Sequence, residues 1–363
     1  MKNVKTSLCI TITFLLSLNF SLFAQIPPNY YTSAYNMKGD NLREALYEII
    51  KDHVEFPYTS SGTDTWDILK ETDRDPNNPD NVILIYSGRS IDAAQEYNNG
   101  NGWTREHVWA KSRGDFGTSK GAGTDVHNLR PLSASVNSTR SNRSFDNCMT
   151  CQDVIDRGFN TGSKIDAFIF TFQPRDEVKG DVARMIFYMA TRYEGFNGEP
   201  DLQMTNATPP QSDKAPFHGV LNTLLVWNDE DPVDDFERNR NDIIYEDYQL
   251  NRNPFIDYPE IADHIWGSKQ NENWNPTLNV ETEEFDNVRD IYLYPNPATS
   301  EISLKGFQIE ASIQIFDITG KLMKDEFIKN ENETIQVSNL SGIYIAKIVY
   351  DKNYQKIMKL VIK

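Results

Sequence analysis

Cysteine is scarce in this chain, with three residues in 363. Cys9 lies in an N-terminal leader, so the mature chain holds at most one disulfide and is not a small fold stapled by bridges. Histidine is nearly as rare, at five residues. No second C-x-x-C or nearby H-x-x-x-H completes a zinc tetrad with Cys148 and Cys151. That pair reads first as a tight disulfide or an unpaired structural pair, then as half a metal site, and last as a redox motif, since no βαβ pattern surrounds it. Positive charge is in deficit too. With 36 Lys and Arg against 53 Asp and Glu, the net charge of -17 argues against a surface that coats a polyanion everywhere. No apolar run is long enough for a membrane span.

What is present begins with Lys2, Lys5 and an apolar run from Leu8 to Phe23 ending at Ala24. A basic start, a short apolar stretch and a small final residue read as a secretory signal peptide over 1-24. Charge is unevenly spread. From Asn101 to Phe145 seven bases face three acids, a net of +4, whereas Trp227 to Asp263 carries twelve acids and three arginines, a net of -9. A basic strip in an acidic body would focus a polyanion on one cleft, although such runs also occur as merely solvated faces.

Periodicity predicts a helix after Asp40, with Leu42, Ala45, Leu46, Ile49 and Ile50 on one face and His53 at its end. A short helix is expected over 65-72, a Pro/Asn/Asp loop over 73-81, and strands at Val82-Ser87 and Ile165-Phe172. Asp181 is expected to cap a helix whose Val182, Met185, Ile186 and Met189 face the core, with Arg184, Tyr188 and Arg192 on another side. Residues 268-289 read as a linker, and six short alternating strands from Tyr292 to Ile362 as a small all-β sandwich over 290-363. The intervening unit, 25-267, reads as α+β.

The chemistry concentrates in Trp103-Thr104-Arg105-Glu106-His107-Val108-Trp109, then Asp125-Val126-His127-Asn128-Leu129-Arg130-Pro131, then Asn137. A strand through Glu106-His107, a glycine-containing loop, a second strand over Asp125-Arg130 and a helix over Ser133-Asn142 make the minimal ββα unit. Imidazole can take a proton from water near neutral pH, and an oxygen-ligated cation can shield a phosphate and a departing oxygen. Adjacent Glu106 and His107 point to opposite faces of an ideal strand, so serving one site requires a strand end or a distorted backbone. Glu-His alone is a common dipeptide. The full set is far more specific.

Those three motifs, with Val136-Asn137-Ser138-Thr139-Arg140-Ser141-Asn142, Phe172-Gln173-Pro174-Arg175, Lys179-Gly180-Asp181 and Gln249-Leu250-Asn251-Arg252-Asn253-Pro254-Phe255, resemble the bacterial endonuclease I family over about residues 31-266. The resemblance implies a ββα-metal (His-Me finger) nuclease domain that hydrolyses DNA, and RNA as well, to 5'-phosphate products. It implies Glu106 and Asn137 as ligands of magnesium, with manganese or calcium as substitutes, and His107 as general base. His127 and Asn128 would support the site, Arg130 and Arg140 would act in catalysis, and Arg105 and Arg184 would meet substrate, although Arg184 also suits a structural ion pair. Family members commonly carry Pro where this chain has Trp109 or Ala110, and Gly-Asp where it has Ser138-Thr139.

Tyr294-Pro295-Asn296-Pro297, Gly342-Ile343-Tyr344 and the closing Lys359-Leu360-Val361-Ile362-Lys363 resemble type IX secretion sorting domains of Bacteroidetes. That implies an Ig-like sandwich engaging the type IX secretion machinery, and a secreted or surface-held monomer. A carbohydrate-binding module is the alternative for this unit. For the whole chain the rivals are a non-catalytic nucleic-acid-binding surface protein and a phosphodiesterase for small diesters.

Overall fold

The computed structural model describes residues 26-276, 291-306, 311-330, 333-350 and 354-363. The expected signal peptide, residues 1-24, lies outside them, as does most of the expected linker. The chain divides into two compact units, Met1–Thr277 and Leu278–Lys363.

The first unit runs α1 (Gly39–Ile50), α2 (Thr65–Thr72), β1 (Arg74–Asp75), β2 (Asn78–Ile83), β3 (Ser90–Asp92), β4 (Trp103–His107), β5 (Leu129–Ser133), α3 (Ala134–Arg140), β6 (Ser144–Phe145), β7 (Cys151–Asp156), β8 (Phe159–Asp166), β9 (Thr171–Gln173) and α4 (Lys179–Arg192). It continues through β10 (Gln203–Met204), β11 (Phe217–His218), α5 (Leu221–Glu230), α6 (Asp235–Ile243), α7 (Pro254–Asp257) and α8 (Ile261–Ile265). Its sheets are small: β1-β2-β3, β4-β5, β10-β11, and β6-β9-β8-β7 with β6 parallel to β9.

α4 is the spine of this unit. The two-faced helix expected from periodicity is buried all round, from Gly180 to Arg192. Its apolar side joins Leu42, Leu46, Trp227 and Phe255 in the main core. Its polar side is satisfied internally, with Tyr188 donating to Asp125 and Arg184 to Glu237. Gly180 is required where α4 presses on the backbone of Asp231, because a Cβ there would overlap that carbonyl.

Several local expectations change. Asp40 lies inside α1, whose N-cap is Lys38, and Asp181 lies in the first turn of α4. Residues 73-81 are the β1-β2 hairpin. Asp125 accepts from the His127 amide at 3.0 Å, and this turns Val126–Asn128 into a 3-10 helix where a strand was expected. Asp166 likewise accepts from Phe168 and Ile169, which folds the expected Ile165-Phe172 strand into the β8-β9 hairpin. Trp274, placed in the linker by composition, is fully buried against Tyr31 and Tyr258 and bridges to Met37. The ordered first unit therefore extends past 267. Cys148 and Cys151 are joined as a disulfide.

The second unit is all β, with one sheet of Tyr292–Tyr294 (β12), Glu301–Lys305 (β13) and Ile335–Gln336 (β16). The other holds Ala311–Phe316 (β14), Leu322–Ile328 (β15), Gly342–Tyr350 (β17) and Tyr354–Ile362 (β18) in the order β15-β14-β17-β18. Alternate residues such as Ile302, Ile313, Ile315, Ile348 and Leu360 form one core. β15 escapes the sequence pattern because it is a charged edge strand, where solvent on one flank removes the need for strict alternation. No helix among the described residues is long and apolar enough to cross a membrane.

Candidate active site

β4 and β5 pair antiparallel, with Glu106 opposite Arg130 and His107 opposite Leu129, and α3 follows β5 directly. Ser133 makes that join, its hydroxyl accepting from the Val136 amide at the start of α3. His107 is the last residue of β4. Beyond it Asn128 ties the chain down, its Oδ1 accepting from the Trp109 amide at 2.6 Å and its backbone carbonyl from Val108 at 3.0 Å. A strand that ends at His107 lets Glu106 and His107 share a cleft of about 410 Å³, which Asn137, Arg140, Tyr58, Lys111 and Gln211 also line.

Within that cleft His107 is 6% exposed and Glu106 2% exposed. The His107 ring stacks on Tyr58 with centroids 5.7 Å apart, and Nε2 lies 2.9 Å from the Gly123 carbonyl. Nε2 must donate to a carbonyl, so Nδ1 carries the free lone pair of the neutral ring. Burial pushes the His107 pKa down to about 3. Gly123 is needed in that loop, since a Cβ would run into the backbone of Gly117 and Ser119.

Glu106 Oε1 accepts from the Tyr86 hydroxyl at 3.1 Å and lies 3.2 Å from Arg140 Nε. Burial raises its pKa to about 7, with Arg140 and Tyr86 pulling it down. Both contacts fall on Oε1, which leaves Oε2 to the cleft. The Asn137 side chain makes no hydrogen bond among the described residues, so its amide oxygen is also available. One carboxylate and one amide oxygen, both hard donors, suit a cation that keeps most of its shell as water, as magnesium does. Among the described residues no group of three or more His, Cys, Asp or Glu is arranged so that it could hold a metal ion. Arg140 is a clamp. Its guanidinium donates to the carbonyls of His107 (3.4 Å), Val108 and Ser141 (3.1 Å) and meets His218 Nε2 at 3.0 Å.

A family model described as Endonuclease I matches residues 38–260, a span that contains every residue of this cleft. The chain belongs to the endonuclease I family. A second model, the secretion system C-terminal sorting domain, matches residues 292–363. The extracellular ribonuclease of Bacillus subtilis (strain 168) is 52% identical over 239 residues, covering 65% of this chain and 78% of that protein. The extracellular ribonuclease of Bacillus amyloliquefaciens is 50% identical over 237 residues, with the same two coverages. The protein is thus an endonuclease I enzyme, a nuclease, that carries a type IX sorting domain and is secreted or held at the cell surface.

Not every arginine of the endonuclease I motifs reaches the cleft. Arg130 is buried between Asp73 (2.5 Å) and Asp181 (3.0 Å). Arg184, fully buried, forks onto both oxygens of Glu237 at 2.8 and 2.5 Å. Neither can meet a phosphate without stranding a buried carboxylate, so their expected catalytic and substrate roles give way to structural ones. Arg184→Ala should cost about 3–5 kcal/mol in urea unfolding and leave KM unchanged; a raised KM in a chain of unaltered stability would restore the substrate role. Arg105 lines the cleft, but its guanidinium lies between the Tyr58 ring (3.5 Å) and the Trp66 ring (4.0 Å) and donates to Thr65 and Thr59. It holds Tyr58 against His107.

Arg113 is also fully buried, donating to the carbonyls of Asn142, Pro209, Pro210 and Asp213. Four of the seven bases in the basic strip are thus spent inside the protein. His127 lies behind the cleft, with Nε2 3.1 Å from the Asn251 carbonyl. His53, expected as a helix-end surface residue, has a buried side chain 3.8 Å from Asp125. Tyr58, Lys111 and Gln211 were not singled out by sequence. Only Lys111 carried a signal, as an exposed member of the basic strip.

Proposed function

We propose that this nuclease is a magnesium-dependent, largely sequence-nonspecific endonuclease that hydrolyses DNA and RNA to 5'-phosphate products, with His107 as general base. The observation that carries the reading is the neutral His107 ring, its Nε2 committed to Gly123, in one cleft with the two unspent oxygens of Glu106 and Asn137. On this reading Nδ1 takes a proton from the attacking water, and Gly123 and Tyr58 keep the ring from turning away. Glu106 and Asn137 would hold the cation. When bound, that cation supplies positive charge to the phosphate and the departing 3'-oxygen. Arg140 keeps the Glu106 carboxylate aimed at the cleft, and Asn128 keeps β4 ending at His107. Because backbone phosphate supplies most of the affinity, few base contacts are needed.

The β4-β5-α3 unit is read as a His-Me finger, and the C-terminal unit as an Ig-like sandwich recognised by the type IX machinery. The chain would act as a monomer after loss of residues 1-24. RNA joins DNA as a substrate because the two Bacillus relatives are named ribonucleases. A digest of plasmid, RNA and small diesters, with and without magnesium, tests the substrate class; cleavage of small diesters alone would overturn it.

Lys111 is exposed and makes no ion pair among the described residues, which suits a phosphate contact at the cleft. Lys111→Ala should raise KM several-fold on every sequence and lower the salt slope of binding by about 1. An unaltered slope would remove the contact. Deletion from Asp290 onward should keep the enzyme inside the cell while lysate activity persists, and normal export of the truncated chain would contradict the sorting role.

A further inference from the structure

The cleft ends with α3, and the surface just past it is built in an unusual way. Asn142 lines the cleft, and Arg143 follows it into β6. Ser144 of β6 pairs in parallel with Thr171 of β9, so the register sets Arg143 beside Phe170. The guanidinium carbon lies 4.3 Å from the Phe170 ring centroid. Nε and Nη1 of Arg143 are buried with no hydrogen-bond partner among the described residues, and no carboxylate pairs with it there. Phe170 has φ of 58°, a left-handed conformation that bulky residues avoid.

Two apolar tips stand beside this pair. Phe168, in the same turn, is 92% exposed, and Met149, in the disulfide loop, is 84% exposed. One carboxylate fixes both loops. Asp166 accepts from the backbone amides of Met149 (3.2 Å), Thr150 (2.7 Å), Phe168 (2.9 Å) and Ile169 (3.2 Å), and from the Thr150 hydroxyl (2.9 Å). Exposed apolar side chains on two loops whose backbones are fixed by one carboxylate, next to an unneutralised cation and one residue from the cleft, form a surface prepared for a ligand.

We propose that Phe168, Met149 and Arg143 form a platform for single-stranded nucleic acid, on which unpaired bases of a strand running past the cleft stack while the remaining guanidinium nitrogen of Arg143, Nη2, meets the backbone phosphate. The proposal rests on the nuclease reading above. Continuity with the cleft through Asn142 and Arg143 and the cation beside the rings favour a nucleic acid over a protein partner. Any base offers a π face to Phe168, whereas a duplex hides those faces in its stack.

The test uses the full chain carrying His107→Ala, so that cleavage does not erode the probe, and fluorescence anisotropy with labelled single-stranded DNA and RNA of about twelve nucleotides and with the matching duplex. Adding Phe168→Ala should weaken both single strands roughly fivefold or more, change duplex binding less than twofold, and be reversed by Phe168→Trp. Unchanged single-strand affinity, or equal weakening for the duplex, overturns the platform. Because Phe168 is almost fully exposed, the variant should melt with its parent, which keeps a folding defect from imitating the result. Binding by an unsubstituted chain that cuts no nucleic acid would overturn the nuclease mechanism while leaving the platform standing.

Discussion

Replacing His107 with alanine should lower turnover on plasmid DNA and on RNA by about 10²–10⁴-fold, the usual worth of a positioned general base. The loss should appear in kcat more than in KM, because the imidazole acts on water and not on the bound strand. Its environment sharpens the expectation. Burial holds the ring neutral down to about pH 3, so the base is ready throughout the range in which the enzyme would be assayed, and no activity limb near 6.5 should come from it. The ring also fills space against Tyr58, so a stability loss is expected alongside. His107→Asn, which keeps a polar group near Gly123, separates the two effects: it should recover the melting temperature without recovering turnover. Equal turnover in the unsubstituted and alanine chains would end the general-base assignment.

Chelation should abolish activity and magnesium should restore it, and the pH at which this happens should depend on the metal concentration. Glu106 has a pKa raised by burial from 4.5 to about 7. Below that value the folded protein holds a proton where the cation would bind, so proton and cation compete. Lowering the pH from 8 to 5.5 should therefore reduce activity, and added magnesium should move that acid limb to lower pH. An acid limb indifferent to magnesium, or full activity in excess EDTA, counts against the assignment. The same shift has a stability signature that needs no substrate. A raised carboxyl pKa favours the fold below about 4.5, and that contribution is lost as pH rises through about 7. A cation on Glu106 would offset the loss, so magnesium should raise the melting temperature more at pH 8 than at pH 5.

How much of this was legible in the chain differs from residue to residue. Glu106, His107 and Asn137 could be singled out because their chemical types, their order and the strand-loop-helix signals around them agree. The alternating strands of the C-terminal unit were legible where one face is buried, and β15 was not, because an edge strand with charged residues does not alternate. The arginines divide differently. Arg105, Arg113, Arg130, Arg140 and Lys111 share a charge sign and a stretch of chain, yet four are enclosed and one is open to solvent. The difference depends on partners far off in sequence, such as Asp73 for Arg130 and Tyr58 for Arg105, and no local pattern records those pairings. Trp274 shows the converse, an aromatic residue in a linker-like composition that the fold uses to close its core.

By itself, then, the sequence determined the family, the sorting domain, the alternation that builds the second unit, and the types and order of the residues that meet in the cleft. Local chemistry and short-range order suffice for all of these. Only the tertiary structure decided that β4 ends at His107 so that two neighbouring residues share one cleft, which nitrogen of His107 is free, which bases are spent on buried carboxylates and carbonyls, and where Tyr58 and the Phe168 turn stand. Those outcomes depend on burial and on contacts between residues dozens of positions apart, where the same side chain is a substrate contact in water and a structural ion pair in the core.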